Sequence, residues 1–207
     1  MFGFTKEEER LFFSLSTPKK IQDYLESISI NFEEHGDTCM SPRRVIREKR
    51  AHCIEGALFA ATALRYHGHR PLVVDMVSAY EDFDHVITVF RLHNSWGAIT
   101  KTNHAVLRYR EPVYKTIREL IMSYFHEYFL DNGKKTLRSF SQPIDLSRFD
   151  KKNWMTDEKN VWYIPRYLNT VPHSDILDNR QLHGLRKADP IEIKAGKLTD
   201  QKRKTRH

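Results

Sequence analysis

Arg50-Ala51-His52-Cys53-Ile54-Glu55-Gly56-Ala57 opens the stretch whose reading decides the fold. Over residues 53–67, Ile54, Ala57, Leu58, Ala61 and Leu64 make one apolar stripe at helical spacing, with Ala60 and Ala63 as small flanks and Gly68 as a stop. The spacing predicts a helix whose alanines let it lie close against a sheet. Pro71 then opens Leu72-Val73-Val74-Asp75-Met76-Val77, and Asp84 precedes His85-Val86-Ile87-Thr88-Val89-Phe90-Arg91-Leu92. Both runs are rich in β-branched residues and apolar on more than one face, the pattern of interior strands. A cysteine at a helix start, followed by a histidine on a strand, is an order that delivers a thiol nucleophile and its base. The helix N-terminus adds partial positive charge, which favours thiolate, and a free N–H able to bind an oxyanion.

Upstream, Thr5 with Glu8 forms a capping-box pattern, and Thr17-Pro18 and Ser41-Pro42 each place a hydroxyl cap before a proline at the first helical position. Three short helices are expected there. Downstream, Asn94-Ser95 marks a turn, and residues 96–101 and 105–109 are expected to complete the sheet. Pro112 is read as the start of a helix with Val113, Ile117, Leu120, Ile121, Tyr124 and Tyr128 on one face, closed by Asp131-Asn132-Gly133. Past Gly133 the pattern weakens, and Trp154, Trp162, Tyr163 and Tyr167 are read as cover for the core.

With 207 residues, 40% hydrophobic and 29% charged, the composition is that of an ordinary globular chain. The expected organisation is one α+β domain over residues 1–170, its core about 17–130, followed by a basic extension over 171–207 that is partly flexible from 184. Acidic charge precedes any long apolar run at the N-terminus, and no eighteen apolar residues stand together, so neither a signal peptide nor membrane contact is expected. Cys39 and Cys53 are then expected to be reduced thiols in a cytoplasmic protein. Of the net charge of +7, residues 184–207 hold +5, from eight Lys/Arg against three Asp/Glu. Such a tail, with Lys202-Arg203-Lys204 at its heart, implies at most weak, salt-sensitive nucleic-acid contact.

Helices, then a cysteine on a central helix, then a sheet carrying a histidine, resembles the transglutaminase-like branch of the papain-like fold. The resemblance covers roughly residues 17–110. It rests on Cys53 opening the alanine-rich helix, on Leu64-Arg65-Tyr66-His67-Gly68-His69-Arg70-Pro71 leading into a strand, and on His85-Val86-Ile87-Thr88-Val89 followed by Trp96. It implies N-terminal helices, a Cys-bearing helix packed on an antiparallel sheet, and thiol acyl transfer on a peptide or protein substrate. Cys53 would be the nucleophile and His85 the acid and base. The family also contains members without activity, so the alternative reading is an inactive domain serving as a protein-interaction module.

The third member of the site departs from the family pattern, because no Asp follows Trp96 in Gly97-Ala98-Ile99-Thr100-Lys101. Asn94-Ser95-Trp96-Gly97 resembles the asparagine motif of papain-type proteases, but nine strand steps of about 3.3 Å put a turn residue over 25 Å from His85. A three-residue hairpin loop of His93-Asn94-Ser95 would instead set Asn103 opposite His85, on the same face. Asn103 is therefore the expected orienting residue, with His104, Asp75 and Asp84 in reserve.

Cys39 reads as a bystander, and Glu55 as a helix-surface charge ahead of a substrate contact. His35, Cys39, His52, Cys53, His67 and His69 are the candidates for a metal site. They form no paired Cys-x-x-Cys or His-Glu-x-x-His pattern, and no phosphate-cradling glycine loop occurs. No metal or other cofactor is expected. The oligomeric state is left open.

Overall fold

The computed structural model describes residues 2–199. The tail residues Lys202, Arg203, Lys204 and Arg206 lie outside the described residues. In chain order the elements are α1 (Lys6–Ser14), α2 (Pro18–Ser27), β1 (Ser29–Ile30), α3 (Pro42–Glu48), β2 (Arg50–Ala51), α4 (Cys53–Tyr66), β3 (Leu72–Ser78), β4 (His85–Leu92), β5 (Ser95–Ile99) and β6 (Arg110–Tyr114). There follow α5 (Ile117–Phe125), β7 (Leu137–Ser141), β8 (Ile144–Asp145), a 3-10 turn (Leu146–Lys152), α6 (Tyr163–Leu168), β9 (His173–Asp175), α7 (Asn179–His183) and α8 (Pro190–Gly196). Among the described residues no helix is long and apolar enough to cross a membrane.

The three N-terminal helices begin where their caps predict: the hydroxyls of Thr5, Thr17 and Ser41 accept from the backbone N–H three residues on. α4 is buried on all sides from Ile54 to Leu64 because it lies between two layers. Its Phe59, Ala60 and Ala63 meet Phe12, Ile21, Leu25 and Val45 of the preceding helices, whereas Ala57, Leu58 and Ala61 share a cluster with Val73 and Val86 of the sheet. The Thr88 hydroxyl donates to the Ala57 carbonyl across 2.6 Å, tying β4 to the first turn of α4.

The main sheet runs β6-β5-β4-β3-β7-β9, with β8 also paired to β3, and its pairs are antiparallel. Strand alternation turns Val74, Met76, Ile87 and Val89 to the opposite face, where Leu120, Ile121 and Tyr124 of α5 cover them. The fold is thus α+β in four layers, N-terminal helices, α4, sheet and α5, with α4 and β4 at its centre.

Three expectations need correction. Pro112 lies in β6, an edge strand where a missing N–H costs no ladder bond, and α5 starts instead at a Thr116–Glu119 capping box. The expected strand over 105–109 is irregular backbone, and the edge strand is β6. The hairpin between β4 and β5 has a two-residue loop, His93 and Asn94, both at positive φ (48° and 59°), so Leu92 pairs with Ser95. Residues 173–175, in the expected extension, add β9 to the sheet beside β7. Trp154 is fully buried, with Trp162, Tyr163 and Tyr167 packed on its cluster, so these aromatics do cover the core.

Candidate active site

Cys53 is the first residue of α4 and His85 the first of β4. The centring of α4 on β4 brings these two starts together, and the half-buried Cys53 thiol lies within electrostatic reach of the His85 imidazole. His52, the residue before the helix, stands beside the same thiol, which feels its charge as well. Cys53 and His85 face a cleft of about 640 Å³ whose walls include Phe83 and Asp84 of the β3–β4 turn, Thr102 and His104 after β5, and Tyr128 after α5.

Burial alone would raise the Cys53 pKa. The hydrogen bonds from His52 and His85, together with their charges, more than offset it and bring the thiol down to about 5. At neutral pH such a group is almost entirely thiolate. For His52, burial would disfavour the imidazolium, but hydrogen bonds to Cys53 and Glu55 and the charges of both hold its pKa up at about 11.

Glu55, in the first turn of α4, has no exposed surface, contrary to the reading of a solvated helix charge. Its carboxylate accepts from Asn31 Nδ2 at 3.0 Å, Thr38 Oγ1 at 2.7 Å, Met40 N at 2.9 Å and His52 N at 3.0 Å. Burial pushes its pKa up, but the His52 contact and these donors bring it down to about 2.

The orienting position behind His85 is held by Thr100. Its Oγ1 lies 2.7 Å from His85 Nε2, which leaves Nδ1 for the thiol. With the two-residue loop, Thr88 pairs with Ile99, pairing ends, and Thr100 is the next residue. Its backbone is clamped by the buried side-chain amide of Gln22 from α2: Gln22 Nε2 donates to Thr100 O at 2.9 Å, and Thr100 N donates to Gln22 Oε1 at 3.0 Å. Lys101, next in line, buries its ammonium against the Leu25 and Ile28 carbonyls at the end of α2. Its Cβ lies so close to Gly56 that a Cβ at Gly56 would meet it at 2.4 Å. That glycine lets the site strand pack on the first turn of α4.

The other candidates fall as follows. Asn103 stands three residues beyond Thr100, half-buried in a bend past the end of β5. His104 is exposed, with Nδ1 3.1 Å from Gly196 O on the cleft rim. The Asp84 carboxylate accepts from Ser78 N at 2.8 Å and holds the β3–β4 turn. Asp75 is buried and engages His173 Nε2 at 3.1 Å; burial raises its pKa despite His173. Asn94 sits in the hairpin turn. Cys39 is buried, its backbone N–H donating to Asn160 Oδ1, and burial and the charges of Glu55 and Cys53 push its thiol pKa well up.

Thr100 and His52 are the site residues that the sequence reading passes over. Loop length was no signal for Thr100, because the two-residue turn that Asn94 tolerates puts Thr102 in register with His85. For His52 the signal was adjacency to Cys53, with Glu55 three residues on. Among the described residues no three His, Cys, Asp or Glu side chains are grouped so as to hold a metal ion. Compared with known proteins, the chain matches no family model and no curated protein.

Proposed function

We propose that this protein is a cysteine-dependent acyl-transfer enzyme on a papain-like, transglutaminase-like core, acting on amide bonds of a peptide or protein in a reducing compartment such as the cytoplasm. The observation that carries the reading is the line Cys53–His85–Thr100 at the foot of an open cleft. The thiolate adds to the substrate carbonyl carbon, and the resulting oxyanion sits at the N-terminus of α4, within reach of the Cys53 N–H. The His85 imidazolium protonates the leaving amine as the C–N bond breaks, leaving a thioester on Cys53. Water or a second amine, deprotonated by the now neutral His85, attacks that thioester and returns the thiolate. Thr100 keeps the ring in plane with the sulfur during both transfers, the role that a carboxylate or amide side chain serves elsewhere.

Exposure to a p-nitrophenyl ester of a short acyl peptide, followed by mass spectrometry, tests this. The expected product is one acyl group on Cys53, released by neutral hydroxylamine as a thioester is. Acylation elsewhere only, or none on a Cys53 that remains alkylatable, contradicts the proposal.

A further inference from the structure

The two imidazoles that reach Cys53 are held by partners of different chemistry. His52 Nε2 lies 3.0 Å from the Thr38 carbonyl oxygen. A carbonyl oxygen only accepts, so this nitrogen carries hydrogen. The same nitrogen is 3.4 Å from Glu55 Oε1 and 3.5 Å from Glu33 Oε1. Glu55 is at 0% exposure, with donors from Asn31, Thr38, Met40 and His52 around both oxygens, so it is kept as an anion. A buried anion requires a cation beside it, and the side chain in ion-pair reach is His52. Nε2 is thus taken by Thr38 and the carboxylates, and the charged ring stands beside the thiol of the next residue.

His85 is held differently. Its Nε2 contacts the Thr100 hydroxyl, which rotates and serves equally as donor or acceptor. The contact therefore survives whether or not that nitrogen carries hydrogen. One ring is fixed in its protonation by a carbonyl and a carboxylate, and the other is free to change.

We propose that His52, held by Glu55 and Thr38, is the standing counter-ion of the Cys53 thiolate, and that His85 alone carries the catalytic proton. This rests on the acyl-transfer reading above. In the resting site the charged His52 stands between Glu55 and the thiolate, and His85 carries the proton that the leaving amine will take. When the leaving amine takes the His85 proton, His52 remains charged; when the attacking water or amine gives its proton to neutral His85, the C–S bond breaks and its electron pair returns to sulfur beside the His52 N–H. The ionised thiolate is thus regenerated as a leaving group on each turnover, and His85 is neutral when a base is needed. Around the pair, Glu33 and Glu55 stand at His52, Cys39, Asp75 and Tyr128 lie within electrostatic reach of Cys53, and Asp82 and Asp84 line the cleft with His85.

The test is the pH profile of iodoacetamide labelling of Cys53, followed by mass spectrometry, in the native chain, His52→Gln and His85→Gln. His85→Gln is expected to label at pH 6 within about threefold of the native chain, whereas His52→Gln slows at pH 6 by about tenfold or more, one decade for each unit by which the thiol pKa rises. The reverse ranking overturns the assignment of the counter-ion and leaves the nucleophile standing. A native Cys53 that labels no faster than free cysteine at pH 6 overturns the parent reading instead. Imidazole 15N spectra of the native chain read the same point without a substitution. His52 with both ring nitrogens protonated from pH 5 to pH 8 is the expected result, and a singly protonated His52 at pH 7 contradicts it.

Discussion

Cys39 and Cys53 are the same residue type in one chain, close enough that each thiol senses the charge of the other, and their surroundings drive them in opposite directions. Cys39 lies with Leu58, Trp154 and Val161 in the apolar cluster, and the nearby anions oppose a further negative charge. Cys53 is no less surrounded by protein atoms on its helix side, yet two imidazoles turn the balance. Cys39 is fully buried and Cys53 half-buried at the cleft, and the imidazoles beside Cys53 against the anions beside Cys39 complete the contrast between a thiol that reacts and one that packs.

The sharpest way to break the comparison is Cys53→Ala, which should reduce acyl transfer to background, on the order of 10⁴-fold or more, while leaving the fold intact by circular dichroism. Retained turnover in that variant would move the chemistry away from α4.

The pH dependence of stability sharpens the contrast next. His52 titrates from an ordinary 6.5 to about 11 in the fold, and Cys53 from 9.0 to about 5. The raised histidine contributes stability that is complete below 6.5 and lost as pH rises toward 11. The depressed cysteine contributes stability complete above 9 and lost as pH falls toward 5. Between about 6.5 and 9 the folded and unfolded pair bind the same number of protons, so the pair gives a plateau that falls on both sides. Cys53→Ser should remove the fall on the acid side and lower the plateau by on the order of 3 kcal/mol in denaturant titrations between pH 7 and 8, while the fall on the alkaline side, which Glu55 also sustains through His52, persists in part. An unchanged profile would mean that thiolate and imidazolium do not form a pair.

A smaller effect is expected from Thr100→Val, which keeps shape and burial but removes the hydroxyl behind His85. Turnover should fall by about 10–100-fold, the equivalent of one hydrogen bond to a charged ring, with little change in Tm. An equal loss of Tm and turnover would make Thr100 a packing residue only.

The central helix, its alanines and the strands on either side were legible because each carries its own period and its own stop. The N-terminal caps were legible for the same reason. What was not legible turned on where pairing stops: the two-residue turn at His93 and Asn94 sets Thr102, not Asn103, in register with His85, but the ladder ends at Ile99 and the chain beyond it carries the Thr100 hydroxyl to the ring. Pro112 misled because a proline that can open a helix can equally sit on a sheet edge, and only the strand order distinguishes the two. Glu55 looked solvated because helix periodicity does not report that Asn31, Thr38 and Met40, from the loop before α3, fold over the start of α4.

The least effect belongs to Cys39→Ala, which should cost about 1 kcal/mol of stability through lost packing and leave turnover unchanged. A large loss of turnover would give Cys39 a part in the chemistry.

The most direct measurement is competitive alkylation of the two cysteines in the native protein at pH 6, with each site quantified by mass spectrometry. Cys53 should be modified at least about tenfold faster than free cysteine, with Cys39 protected until the chain unfolds. Equal labelling of both, or Cys39 labelled first, would contradict the activated thiolate at the start of α4.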